Sequence, residues 1–319
     1  MRFNQQSRTA AQRLGAAALG TAGSFILFAA YMVIPLAGFF SGLLAPFPAA
    51  FFRLGHGRGT ALIITLGSAT LLAAVFGIQS GLFYLLQCGV ISLLMPELLI
   101  RGHGTARTIA WTTAVNLVAL ALAALAFSMI SGQSIHGLAI QEINSSISQA
   151  AAVYEHAGIK GDELALLKQS MTMVASLLIR IYPALLTILL AVMTGCNLVL
   201  VRRAATRMGL ELTNGNFNAF RNWDLLVWLL IAAGFAMLAG NPIITTPALN
   251  VLVIVTSLYF LQGLAVMLTI TARQSFGGVL RVMLFLMLLF QPYLAALVAV
   301  LGIFDLWGDF RTPRKRENL

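Results

Sequence analysis

The chain has 319 residues, of which 59% are apolar and 9% charged, and its formal net charge is +10. Mean hydropathy is +0.90. A soluble domain carries about 25% charged residues, so this composition excludes a soluble globular protein and predicts an all-α polytopic membrane protein. The basic excess does not indicate nucleic-acid binding, because the arginines stand at the ends of apolar runs, where lipid headgroups account for them.

No charged residue occurs between Arg13 and Arg53. That stretch is too long for one upright span at about 1.5 Å per residue. Residues 14–36 are therefore read as the first segment and 38–53 as a shorter second, with Pro35 near the junction and Pro46 and Pro48 near the end. Arg2, Arg8 and Arg13 precede a run without a clear stop, which predicts a retained first helix rather than a cleaved leader. Residues 59–77, 80–100 and 107–131 predict the third to fifth segments.

Residues 132–170 change character. Glu142, Glu155, Asp162 and Glu163 occur here with Lys160 and Lys168. Ile135, Leu138, Ile143, Ile147 and Ala151 recur at near-helical spacing, which predicts one amphipathic extracytoplasmic helix. Gly158 and Gly161 break it, and Asp162 reads as the N-cap of the next helix. Residues 164–201 predict a long sixth segment. Residues 202–222 form a basic loop with an Asn214-Gly215-Asn216 turn signal. Residues 223–240 and 246–272 predict the seventh and eighth segments, separated by a tight turn at Asn241-Pro242. The stretch 278–307, with Gln291-Pro292 at its centre, reads either as one kinked helix or as a hairpin. The total is about eight to ten segments.

Charge orients this plan. The N-terminus and the clusters at 53–58, 101–107, 202–207 and 273–281 are basic, while the connections between them are neutral or acidic. The positive-inside rule then places the N-terminus in the cytoplasm and 132–170 outside. The basic residues 311–316 fit only if 278–307 is a hairpin. Three regions follow: 1–131, a five-segment bundle; 132–170, the extracytoplasmic connection; and 171–319, a bundle of three to five segments.

Arg180 is the exceptional ion. It falls about 13 Å beyond Met171 by helical rise, at a depth where an arginine must be paired, hydrated or snorkelling. It reads as a solute contact, as snorkelling to the outer headgroups, or as a partner of a loop carboxylate such as Glu142 or Glu155. Pro183 follows and loosens the helix. Glu97, four residues before Arg101, predicts a helix-end ion pair. Asp224 and Asp305 predict caps or arginine partners. The amides Gln87, Asn116, Asn197, Asn250, Gln262 and Gln291 require partners inside the bilayer, either as inter-helix glue or as the lining of a polar pocket. The expected solute-binding set is Arg180, Asn116, Asn250 and Gln262. Ala16, Gly20, Gly38 and Gly42 offer small-residue faces for close packing, within the bundle or against membrane partner subunits.

Cys88 and Cys196 fall in apolar segments and read as packing residues. The four histidines are isolated, and no metal-type or nucleophile–base spacing occurs, so neither a metal, a cofactor nor an enzyme activity is expected.

Several stretches recur as a set: Ile34-Pro35, Pro46-Phe47-Pro48, Tyr182-Pro183-Ala184, Ala248-Leu249-Asn250, Tyr259-Phe260-Leu261-Gln262-Gly263-Leu264-Ala265, and Gly302-Ile303-Phe304-Asp305 leading to Phe310-Arg311. This pattern resembles the YybS-like bacterial membrane proteins over nearly the whole chain. The resemblance implies a bacterial inner-membrane protein and transfers no catalytic residue. The first five segments also look faintly similar to the S components of energy-coupling-factor transporters. The expected function is a transport-type small-solute-binding membrane subunit without its own ATPase. The alternative is a non-catalytic scaffold that organises envelope proteins.

Overall fold

The structure, a computed structural model, describes residues 10–210, 217–273, 283, 286–288, 291–308 and 310–311. The described residues are helical, without a strand. In chain order the helices are α1 (Ala10–Val33), α2 (Pro35–Leu44), α3 (Phe47–His56), α4 (Arg58–Phe76), α5 (Ile78–Tyr84), α6 (Val90–Ile100), α7 (Thr105–Ser131), α8 (Ile135–His156), α9 (Asp162–Arg207), α10 (Leu226–Ala236), α11 (Pro242–Arg273) and α12 (Pro292–Gly308). A π turn, Leu85–Gly89, joins α5 to α6, and a short 3-10 turn, Met237–Ala239, extends α10. Among the described residues six helices are long and apolar enough to cross a membrane: α1, α4, α5–α6, α7, α9 and α11; two shorter apolar helices are Leu226–Ala239 and Tyr293–Gly308. An all-α polytopic bundle is thus the observed class. The turn expected at 214–216, most of 274–290 and residues 312–319 lie outside the described residues.

The chain forms two compact units. One comprises residues 1–138 and 189–214, the other 139–188 and 215–319. Neither is contiguous in sequence, because α9 contributes to both.

In the first unit, α1 lies against α2, α3 and α4. The second segment expected at 38–53 is two ten-residue helices instead. Pro46 has no N–H to continue the α2 ladder, so the chain turns at Ala45-Pro46 and restarts with Pro48 in the first turn of α3. Neither half is long enough to span a bilayer. Gly57 (φ 89°) and Gly77 (φ 92°) bound α4 at both ends. Their left-handed backbone lets the chain reverse through a single residue.

The small residues of α1 and α2 are taken up inside this unit. A Cβ on Gly20 would overlap Ile64 and stand 2.9 Å from Phe52, and one on Gly42 would stand 2.8 Å from the Tyr31 ring. Gly38 faces the backbone of Ala30 and Tyr31. Ala16 is buried. These positions let helices of the same chain approach closely.

Three basic clusters that the sequence assigns to one side gather at one end of this unit. Glu97 accepts from Arg53 Nη2 at 2.7 Å, from Arg101 Nε at 3.1 Å, and from Arg58 through Nε at 3.0 Å and a shorter Nη2 contact. Arg202 Nη1 donates to Thr105 Oγ1 at 2.6 Å. The expected pair of Glu97 with Arg101 is therefore part of a four-residue cluster.

In the second unit, α11 is flanked by α10 and α12. Gly240 (φ 65°) ends α10, and Asn241 Oδ1 accepts from Ile243 N at 3.0 Å, so α11 starts at Pro242 rather than at 246. Helix α8 is amphipathic as expected: Leu138, Ile143, Ile147 and Ala151 are the less exposed positions, whereas Ile135 is exposed. Asp162 lies in the first turn of α9, after Gly161 at φ 66°.

Candidate functional site

The polar residues singled out in the sequence fall into three places. In the second unit, Arg180 and Asn250 come together. Arg180 Nη2 donates to Thr245 Oγ1 at 3.3 Å, and the Asn250 amide contacts the backbone of α9 beside it. Glu142 and Glu155, the expected carboxylate partners, do not fill this role; Glu155 stands 3.9 Å from Lys168. Thr245 is in the first turn of α11, so Arg180 lies near the Pro242 end of that helix rather than level with its middle.

Asn250 acts on a backbone that Pro183 has weakened. In a regular helix the Ala184 N–H would donate to the Arg180 carbonyl. Here Ala184 N donates to Asn250 Oδ1 at 2.9 Å, while Asn250 Nδ2 donates to Arg180 O at 2.7 Å and to Thr246 O at 2.9 Å. A side chain from α11 is thus inserted between two groups one helical turn apart on α9, next to the proline. Inserted side chains and prolines are the usual causes of helix kinks. All the hydrogen-bonding groups of this amide are engaged within the chain.

Gln262 belongs to a second cluster in the same unit. Its Nε2 donates to Asp305 Oδ2 at 3.0 Å, and its Oε1 accepts from Asn222 N at 2.9 Å. Asn222 Nδ2 donates to Leu258 O at 2.8 Å. Arg311 Nη2 donates to Asp305 Oδ2 at 2.8 Å and Nη1 to Asn218 O at 2.9 Å. Arg221 Nη2 donates to Leu306 O at 3.2 Å, where a cation suits the carbonyl end of α12. Asp305 is 3% exposed and Gln262 fully buried. Asp305 Oδ1, Arg311 Nε and Tyr259 Oη are buried without a hydrogen-bond partner.

Glycine permits this cluster. A Cβ on Gly263 would stand 2.8 Å from the Val298 carbonyl carbon, and one on Gly302 would stand 2.9 Å from the Tyr259 carbonyl carbon. The two helices therefore cross in backbone contact, antiparallel, with Gly302 against Tyr259 and Gly263. The approach brings the Asp305 carboxylate to Gln262. Helix α10 covers the Pro242 half of α11 through its tight connection, and α12 covers the other half. The start of α10 and the end of α12 meet beside Leu258 and Gln262, near the middle of α11.

Asn116 is in the first unit. Its Nδ2 donates to the Gln87 carbonyl at 3.1 Å, within the π turn whose wider winding breaks the regular ladder. It continues a buried row on α7 with Thr108 and Thr112. Asn116 Oδ1 and Thr112 Oγ1 have no partner. An open groove on this unit is lined by Gln12, Gly15, Ala16, Leu19, Phe52 and His56, and by none of the four expected solute contacts. No group of three or more His, Cys, Asp or Glu gathers as a metal site among the described residues.

Asp305 reads from sequence as an arginine partner, and Arg311 is that partner. Asn222 and Gly263 carry no signal of their own. Gly263 and Gly302 are legible only in retrospect, as glycines inside two of the stretches that carry the family resemblance.

A family model described as "Predicted membrane protein (DUF2232)" matches residues 22–306. No curated protein and no solved structure matches the chain.

Proposed function

We propose a function from a plain premise: the chain belongs to this family of predicted membrane proteins (DUF2232), in agreement with its YybS-like pattern. The proposed role is that of a transport-type, multi-pass subunit of the bacterial cytoplasmic (inner) membrane, with its N-terminus inside. It would bind a small solute and carry no ATPase of its own.

The observation that carries this reading is Asp305. The carboxylate is 3% exposed, keeps one oxygen unpartnered, and stands where two short helices end against the middle of α11. Ionisable groups inside membrane segments are rare and are functional-site candidates by default. Helix ends that meet within a membrane bundle recur in transporters, where they present backbone groups to a solute or ion. The reading moves the expected contact set: Gln262 stays in it, joined by Asp305 and Arg311, while Asn250 and Arg180 serve the α9–α11 contact.

The test is solute retention. The protein, reconstituted in nanodiscs, is denatured and the released small molecules are identified by mass spectrometry. Wild type is expected to retain a solute that Asp305→Asn loses, with both proteins folded by thermal melt. Absence of any compound enriched over an empty-nanodisc control would overturn the proposal. A scaffold is the second reading, favoured by the complete internal use of the Asn250 amide. It predicts stable co-purification of other envelope proteins, unchanged by Asp305→Asn.

A further inference from the structure

Over residues 1–138 Glu97 is the sole acidic residue. The segments 53–58, 101–107 and 202–207 together supply seven arginines, and bonds tie all three segments to one end of the first unit. Glu97, with its side chain 15% exposed, collects three of these arginines from the ends of α3, α4 and α6. One carboxylate cannot neutralise three guanidinium groups, so the cluster keeps two positive charges.

The three arginines are not equivalent. Arg53 is 14% exposed and faces inward, whereas Arg58 and Arg101 are 64% and 60% exposed. A guanidinium has five N–H donors. Arg101 uses Nε on Glu97, which leaves both terminal nitrogens, and Arg58 uses Nε and Nη2, which leaves Nη1. Glu97 thus fixes the base of two arginines and leaves their outer donors directed away from it. Such a pair suits a phosphate, whose oxygens accept from guanidinium forks. The cluster also sits at the end of the spanning helices Arg58–Phe76 and Ile78–Ile100, the level of the headgroups.

We propose that Arg58 and Arg101, held by Glu97, form a docking site for the phosphate headgroup of an anionic phospholipid. Charge complementarity and position at the helix ends select a lipid over a soluble anion, because the bilayer holds anionic headgroups at this level at high local concentration. The inference is independent of the solute site, which lies in the other unit.

The experiment compares full-length protein titrated in detergent with phosphatidylglycerol, phosphatidylcholine and inorganic phosphate, reading bound lipid by native mass spectrometry and stability by thermal melt. The double variant Arg58→Gln/Arg101→Gln retains the buried Arg53–Glu97 pair and so tests the site without dismantling it. Phosphatidylglycerol is expected to bind and to raise the melting temperature where phosphatidylcholine does not. The double variant should weaken that binding about 30-fold, at roughly fivefold for each basic residue near an anionic headgroup. Equal phosphatidylglycerol binding by wild type and variant overturns the site, and an equal shift from millimolar inorganic phosphate overturns the lipid assignment.

Discussion

The backbone contact of α11 with α12 gives the sharpest prediction, through Gly302→Ala. The added methyl would lie 2.9 Å from the Tyr259 carbonyl carbon and closer still to its oxygen. Carbon atoms settle at about 3.5–4.0 Å, so the helices must part by about 1 Å at the crossing. One helical turn away, the 3.0 Å bond from Gln262 to Asp305 would then stretch beyond hydrogen-bond range. Overpacking costs about 1–3 kcal/mol, and a lost hydrogen bond to a charged group about 1.5–3 kcal/mol. Polar contacts between membrane helices often contribute less, which leaves a net destabilisation of about 2–4 kcal/mol. At roughly 2–4 °C per kcal/mol, the melting temperature should fall by about 4–16 °C in a detergent thermal-shift assay. The control is Gly234→Ala on α10, where nothing lies within 4 Å of the new methyl. It should leave the melting temperature unchanged or slightly raised, as Ala replaces Gly in a helix. Equal melting of Gly302→Ala and the control would refute the argument that backbone contact holds α12 in place.

Asn250→Leu keeps the branched shape, at a larger volume, but removes the bonds to Ala184 N and Arg180 O; amide hydrogen exchange should show faster exchange at Ala184, with Leu190 unaffected. For the buried ion pair, Arg311→Gln leaves Asp305 uncompensated and should destabilise by about 3–5 kcal/mol, whereas Arg311→Gln with Asp305→Asn should cost clearly less than the sum of the two single variants. A thermal-melt double-mutant cycle reads this coupling, and strict additivity would show that the two groups do not interact.

The bundle was legible because a bilayer imposes a simple rule on sequence: long uncharged runs are helices, and arginines mark their ends. That rule places α4, α7, α9 and α11 within a few residues and assembles the basic clusters at one end of the first unit. It fails at 38–53, where length and apolarity suggest a span but Pro46 removes the N–H that would continue the helix. The polar residues were legible as a class and not as a site. Composition identifies Asn250 as an amide in need of partners; only the three-dimensional register shows those partners to be the backbone groups around Pro183. Likewise, Gln262 and Asp305 are 43 residues apart, and no local periodicity joins them. Asn222 was missed because it lies in a connection, where an asparagine ordinarily signals a turn.

The pairing of α12 also bears on how the protein is made. This helix has 17 residues, shorter than the about 20 required to span a bilayer unaided, and it carries a carboxylate near its end. Segments of that kind partition poorly into lipid when presented alone. What lipid alone does not offer this helix, α11 does: its Gly263 receives Gly302 and its Gln262 receives Asp305. The counter-charge, Arg311, is the last residue of this cluster in chain order. Docking of α12 against α11 is thus complete only once Arg311, six residues beyond Asp305, has been synthesised.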